Sequence, residues 1–192
     1  MALVALFNAG VISRYGSGVG GANRKIFVAF NPHASGKVLL VRGWNLAIGA
    51  DRAAISLATG VQIYREQLNA GQTVSGGTGG TLLIAPALKV GANARSAIVA
   101  YDADGATAIT YGTPTASTKT LIHGIETNAA SNNDGEPAIS RVNFHELLSG
   151  TGLNGYPIDP GWAFIIEQHN NLASQAGFTM NGSIFFEERN SS

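Results

Sequence analysis

The chain contains no cysteine among its 192 residues, which excludes disulfides, thiolate zinc centres and cysteine nucleophiles together. It is also short of charge. Asp, Glu, Lys and Arg make up 12% of the residues, against roughly 25% in ordinary globular proteins. The net charge is zero and the basic residues stand singly, so no footprint for nucleic acid is present and no nucleic-acid partner is expected. No apolar run approaches the ~18 residues of a membrane-spanning helix, and no membrane partner is expected. Met1–Phe7 is apolar but short, without a basic region or a small-residue cleavage site before Gly10, so a secretory leader is not expected.

Small residues fill the gap left by charge. Gly alone numbers 25, joined by Ala, Ser, Thr and Asn, which suit turns and flat, weakly charged surfaces. A monodisperse enzyme usually carries more charge than this. A protein covered by neighbours needs less, and a compact β-protein with a bland surface is the plainer alternative.

Hydrophobic patterning predicts strands. Residues 8–24 hold Gly10, Gly16, Gly18, Gly20 and Gly21 with Ser13, Ser17 and Asn23 between them. Such a segment cannot offset its own ordering entropy and reads as an extended arm over 1–24. From Lys25, alternating apolar residues run to Phe30 and stop at Asn31-Pro32. Lys37 to Ile48 follows, with Val38, Leu40, Trp44, Leu46 and Ile48 on one parity and Arg42 interrupting. Ala54 to Arg65 carries Ile55, Leu57, Val61 and Ile63 on one parity, bent at Thr59-Gly60. Residues 69–81 are turn formers and read as a loop, as does 128–136. Leu82–Leu88, Ala97–Tyr101, Ala108–Tyr111 and Lys119–His123 are short strand candidates. Arg141–Leu148 reads either as a strand or as one helical turn. Gly161–His169 and Gly177–Glu188 are strands joined by a polar connection. Eight to ten strands without a long amphipathic helix predict an all-β fold: an antiparallel, jelly-roll-like β-sandwich over 25–192.

Motifs for chemistry are sparse. Gly16-Ser-Gly-Val-Gly-Gly21 matches the dinucleotide fingerprint, but that chemistry needs a strand before it and a helix after it, and here a strand follows. His33, His123, His145 and His169 are isolated, with no metal-ligand spacing. Asp102-Ala-Asp104-Gly105 and Asn132-Asn-Asp-Gly-Glu136 offer carboxylates, yet both fail the calcium-loop pattern and both suit hairpin turns. No G-x-S-x-G elbow is present. Trp44 and Trp162 could stack on sugars, but both lie in alternating apolar strands. Catalytic residues, cofactor and metal are all expected to be absent.

Phe30-Asn-Pro-His-Ala-Ser-Gly-Lys-Val-Leu-Leu-Val-Arg42 resembles a pattern of small bacteriophage and prophage structural proteins. These carry F-x-N-P-x-x-S-G-K and a strand ending in V-R near the start of a β-sandwich. Asp159-Pro-Gly-Trp-Ala-Phe-Ile-Ile-Glu-Gln168, Asn171–Gly177 and Ser183-Ile-Phe-Phe-Glu-Glu188 are similar to their closing strands. The resemblance covers about a quarter of the chain, and 69–136 aligns with nothing. It implies a non-enzymatic virion protein of the capsid decoration or cement type, made in the host cytoplasm and resident on the capsid surface. The implied partners are the major capsid protein and further copies of the chain in a homotrimer. Leu3, Val4, Leu6 and Phe7 are then the candidate apolar anchors of the arm, and a chain lacking 1–24 is expected to fold without attaching to particles. A tail-associated receptor- or glycan-binding jelly-roll module, using loops 69–81 and 128–136, is the alternative. A hydrolase with an unrecognised site is a third.

Overall fold

A computed structural model describes residues 5–15, 24–50, 59–77, 85–88, 98–101, 108–127, 138–148, 154–168 and 178–190. Within them the chain is all-β. The strands are β1 (Ala5–Tyr15), β2 (Lys25–Phe30), β3 (Lys37–Ala50), β4 (Thr59–Gln67), β5 (Val74–Gly76), β6 (Ala85–Leu88) and β7 (Ile98–Tyr101). There follow β8 (Ile109–Tyr111), β9 (Thr120–Thr127), β10 (Ala138–Asn143), the helical turn α1 (Phe144–Leu147), β11 (Tyr156–Ile158), β12 (Trp162–Gln168) and β13 (Phe178–Asn190).

Every pairing is antiparallel. The first sheet runs β10-β3-β13-β1-β6, with β11 also on β3; the second runs β7-β2-β12-β4-β9; β5 and β8 form a separate ribbon. The two sheets share one core. Trp44, Leu46 and Ile48 of β3 and Met180, Ile184 and Phe186 of β13 meet Phe27, Ile63, Phe164 and Ile166 of the second sheet. Phe164 lies at its centre, 6.1 to 6.4 Å from the rings of Trp44, Phe186 and Phe27. The other face of the second sheet is covered as well. Val28, Phe30, Tyr64, Ala163 and Ile165 pack with Val74, Ile109 and Tyr111 of the ribbon. Burial on both faces explains why β12 reads as an unbroken apolar run rather than an alternation.

Three differences from the sequence reading have clear physical origins. First, residues 5–15, expected within an arm, form β1, paired with β13 from Ala5↔Glu188 to Tyr15↔Phe178 and with β6 on its other side. Strands on both sides satisfy the backbone groups that an isolated extended segment cannot satisfy alone. Second, β3 does not keep one parity. The ladder to β13 pairs Gly43 with Phe185 and Val41 with Phe186, leaving Arg42 as an extra residue. This bulge turns Leu39 and Val41 into the core ahead of it, and Trp44, Leu46 and Ile48 after it. Third, the loop beginning at residue 69 contains β5, which pairs with β8. The ambiguous stretch Arg141–Leu148 divides into the end of β10 and the turn α1. The consecutive strands β12 and β13 lie in different sheets.

Gly43 is required by close approach. A Cβ there would stand 2.1 Å from the Val142 carbonyl oxygen of β10. Gly43→Ala is expected to push β10 off β3 and cost about 2 kcal/mol, read as a lowered midpoint in urea. An unchanged midpoint would remove the bulge from any specific role.

The segments Phe30–Arg42 and Asp159–Gln168 meet at one corner. The Asn31 N–H donates to the Trp162 carbonyl at 2.9 Å, and the Gly161 N–H donates to the Asn31 carbonyl at 2.8 Å. The buried Asn31 side-chain amide donates to the Lys37 and Ile158 carbonyls at 2.8 and 2.9 Å. Asn31 thus joins the start of β3, the end of β11 and the start of β12. Gly161 sits at φ +83°, and a Cβ there would strike the His33 ring at 2.5 Å. This corner is scaffold.

Candidate functional site

Leu3 and Val4 lie outside the described residues, as do 102–107, 128–137, His169 and the fingerprint-like 16–21. Leu6 and Phe7 are on β1, opposite Glu187 and Phe186 in register. The His145 backbone belongs to α1. His33 contacts the Asn69 carbonyl through Nε2 at 3.0 Å and packs beside Phe30. Trp44 is core, its indole N–H donating to Ser140 Oγ at 3.0 Å. Ser140 Oγ in turn lies 3.3 Å from His123 Nε2. This Ser–His contact serves the buried indole, which needs a partner for its N–H. Trp162 is half-buried, with the Arg65 guanidinium 4.7 Å from its ring. Among the described residues, no group of three or more His, Asp and Glu is placed to hold a metal.

The structure gathers a different set of residues, on the outer face of the second sheet where the ribbon ends. Lys25, Tyr64, Glu66, Tyr111, Gly112, Thr113, Pro114, Lys119 and Glu167 line an open cleft of about 540 Å³. Backbone irregularity aims them. The β12–β2 ladder pairs Ile166 with Phe27 and Glu167 with Lys25, so Ile26 is an extra residue. In a regular ladder Ile26 would face Glu167; the bulge replaces it with an ammonium group. Lys119 is delivered from the other side, just before β9.

Glu167 is the anchor, its side chain only 4% exposed. Lys25 Nζ lies at 3.1 Å, Lys119 Nζ at 3.2 Å, and the Tyr64 hydroxyl donates to it at 2.6 Å. A buried carboxylate with three charged or strong donors is compensated, whereas one left alone would be very costly. The lysines also cover aromatic rings: Lys119 lies 4.0 Å from the Tyr64 ring centre and Lys25 4.6 Å from that of Tyr111. Burial, then the bond to Glu167, pushes the Tyr64 phenol well above its ordinary range. It stays protonated and acts as a donor. Burial, then the charge of Glu66, does the same to Tyr111, whose hydroxyl lies beside Glu66 but outside good hydrogen-bond geometry.

The Glu66 carboxyl is raised above its usual value near 4.5, chiefly by desolvation, although Lys25 and Lys119 pull the other way. The native state therefore holds this proton to higher pH than the unfolded chain. Stability attributable to this group is complete below about 4.5 and falls as pH rises through the raised value. Glu66→Gln is expected to gain in melting temperature over the parent as pH rises from about 4 to about 7. A difference between the two proteins that stays constant with pH would contradict this origin.

Sequence reasoning missed the cluster because its members are far apart along the chain. One signal was available: Ile165-Ile166-Glu167 places a carboxylate at the end of a strand otherwise built for burial. Two further acids behave likewise on β13. Glu188 lies 3.2 Å from Lys37, and Glu187 is paired with Arg42 at 3.2 Å and with Arg189. The acidic close of the final strand is an internal ion-pair row.

Comparison with protein-family models, curated proteins and solved structures yields no match.

Proposed function

We propose that the chain is a non-enzymatic structural protein of a bacteriophage particle. Its two sheets form a jelly-roll-like sandwich, and it acts as a capsid decoration or cement protein that binds the major capsid lattice as a homotrimer. The observation that carries this reading is the outer surface of the first sheet. There the rows Ile139–Ala47–Asn181, Arg141–Asn45–Ser183 and Asn143–Gly43–Phe185 lie side by side in register. The patch holds one charged side chain, Arg141, bonded to Asn45 at 3.3 Å. Ile139 is 61% and Phe185 43% exposed on it.

A nearly uncharged surface with exposed apolar side chains suits coverage by another protein. Further support comes from the buried acids Glu167, Glu187 and Glu188, each matched internally by Lys or Arg. The low charge content of the chain is thus partly consumed in holding the body together. The proposed contact surface is this face rather than Leu6 and Phe7, whose backbone is engaged within the sheet.

The test mixes the purified chain with shells of the major capsid protein and follows co-sedimentation, alongside light scattering for the oligomeric state. The parent is expected to be trimeric and to sediment with shells, and Ile139→Asp with Phe185→Asp to abolish attachment without loss of fold. A monomer at high concentration that ignores the shells would overturn the reading. Copy number per particle separates decoration from a tail-associated module: many copies mark the first, a handful the second.

A further inference from the structure

We infer that the cleft between Glu66 and Lys119 is a binding site for a neutral saccharide. The inference is independent of the particle role, because the cleft belongs to the second sheet and the proposed lattice contact to the outer face of the first.

Size and access are suitable. An open cleft of about 540 Å³ falls within the roughly 300–1,000 Å³ of small-molecule sites. Charge narrows the ligand. Two carboxylates, Glu66 and Glu167, face two ammonium groups, Lys25 and Lys119, so the site has no surplus of either sign. A metal ion would meet the ammonium groups, and a phosphate would meet Glu66. A zwitterion would have to draw Lys25 and Lys119 away from Glu167, which they hold at 3.1 and 3.2 Å.

Hydrogen-bonding capacity points to hydroxyl groups. Each ammonium carries three N–H donors and places one on Glu167, leaving donors over. A carboxylate offers about four acceptor positions, and Glu66, half-buried, has the Tyr111 hydroxyl beside it and the Lys25 and Lys119 charges nearby. Donors and acceptors thus alternate around one cleft, Lys25 and Lys119 standing beside Glu167 and near Glu66, with Pro114 as an apolar part of the lining. A sugar ring presents the complement: vicinal hydroxyls that both donate and accept, on an apolar C–H face, with no net charge. Lys119, 43% exposed in its side chain, is the accessible donor, and Glu66 the accessible acceptor.

The experiment titrates the full chain by calorimetry and saturation-transfer NMR with glucose, galactose, mannose, N-acetylglucosamine and their disaccharides. Glucuronate, sialic acid and glycine serve as charged and zwitterionic probes. At least one neutral sugar is expected to bind. Lys119→Met and Glu66→Ala should each weaken it by about tenfold, as loss of a hydrogen bond to a charged group does. Glu146→Ala, exposed on α1 and outside the cleft, should bind as the parent does. Circular dichroism and a retained cooperative melt establish that each variant is folded. Absence of binding by every neutral sugar, binding that ignores both cleft substitutions, or preference for the charged or zwitterionic probes would each overturn the inference. Failure here leaves shell attachment intact, and failure of shell attachment leaves the cleft intact.

Discussion

Removing residues 1–24 is expected to abolish cooperative folding. β1 lies inside its sheet, between β13 and β6, and is matched to β13 across eleven residue pairs. Its loss would strip the partner from one side of β13 and from the whole of β6. Each interstrand hydrogen bond contributes about 0.5–1.5 kcal/mol net, and a typical domain is stable by only about 5–15 kcal/mol. Losing a ladder of this length takes a large share of that margin. It also bares an edge on β13, the strand that contributes Met180, Ile184 and Phe186 to the core. A thermal melt followed by far-ultraviolet circular dichroism should show no sharp transition for the truncated chain. A cooperative melt close to that of the parent would restore the segment to the separable arm that its glycine content suggests.

Glu167→Met is expected to be the most damaging single substitution in the cleft, at about 3–4 kcal/mol. It leaves the Lys25 and Lys119 ammonium groups and the Tyr64 hydroxyl crowded around a missing acceptor. For a chain of this size such a loss lowers the melting temperature by roughly 6–16 °C. The cost comes from stranded partners rather than from any large net worth of the ion pairs. The triple variant Lys25→Met, Lys119→Met, Glu167→Met is therefore expected to recover much of the loss. A single substitution costing under about 1 kcal/mol would mean that the lysines swing freely to solvent, as in an exposed pair.

Much of the strand content was legible because local chemistry marks it. Asn31-Pro32 ends β2, since proline cannot donate to a ladder, and Ser35-Gly36 turns the chain into β3. Val61 and Ile63 share a parity and both reach the core. The parity rule failed on β3 because a bulge at Arg42-Gly43 adds one residue and exchanges the faces. In hindsight Arg42, a charge inside an apolar alternation, was the visible trace of it.

The cleft was legible only in fragments. Glu66, Glu167 and Lys119 belong to elements separated by dozens of residues, and nothing in their spacing links them. Their meeting depends on the register of β12 against β4 and β2, and on the bulge at Ile26.

From the sequence alone follow the β-rich character, the exclusion of cysteine chemistry, and the low charge that leaves so few groups to distribute. Tertiary structure decided the rest: that residues 5–15 become an inner strand, that successive C-terminal strands separate into opposite sheets, and that scattered acids find cations. The physical reason is range. Turn preference and side-chain alternation act over a few residues, whereas ladder register and charge compensation depend on partners supplied by distant parts of the chain.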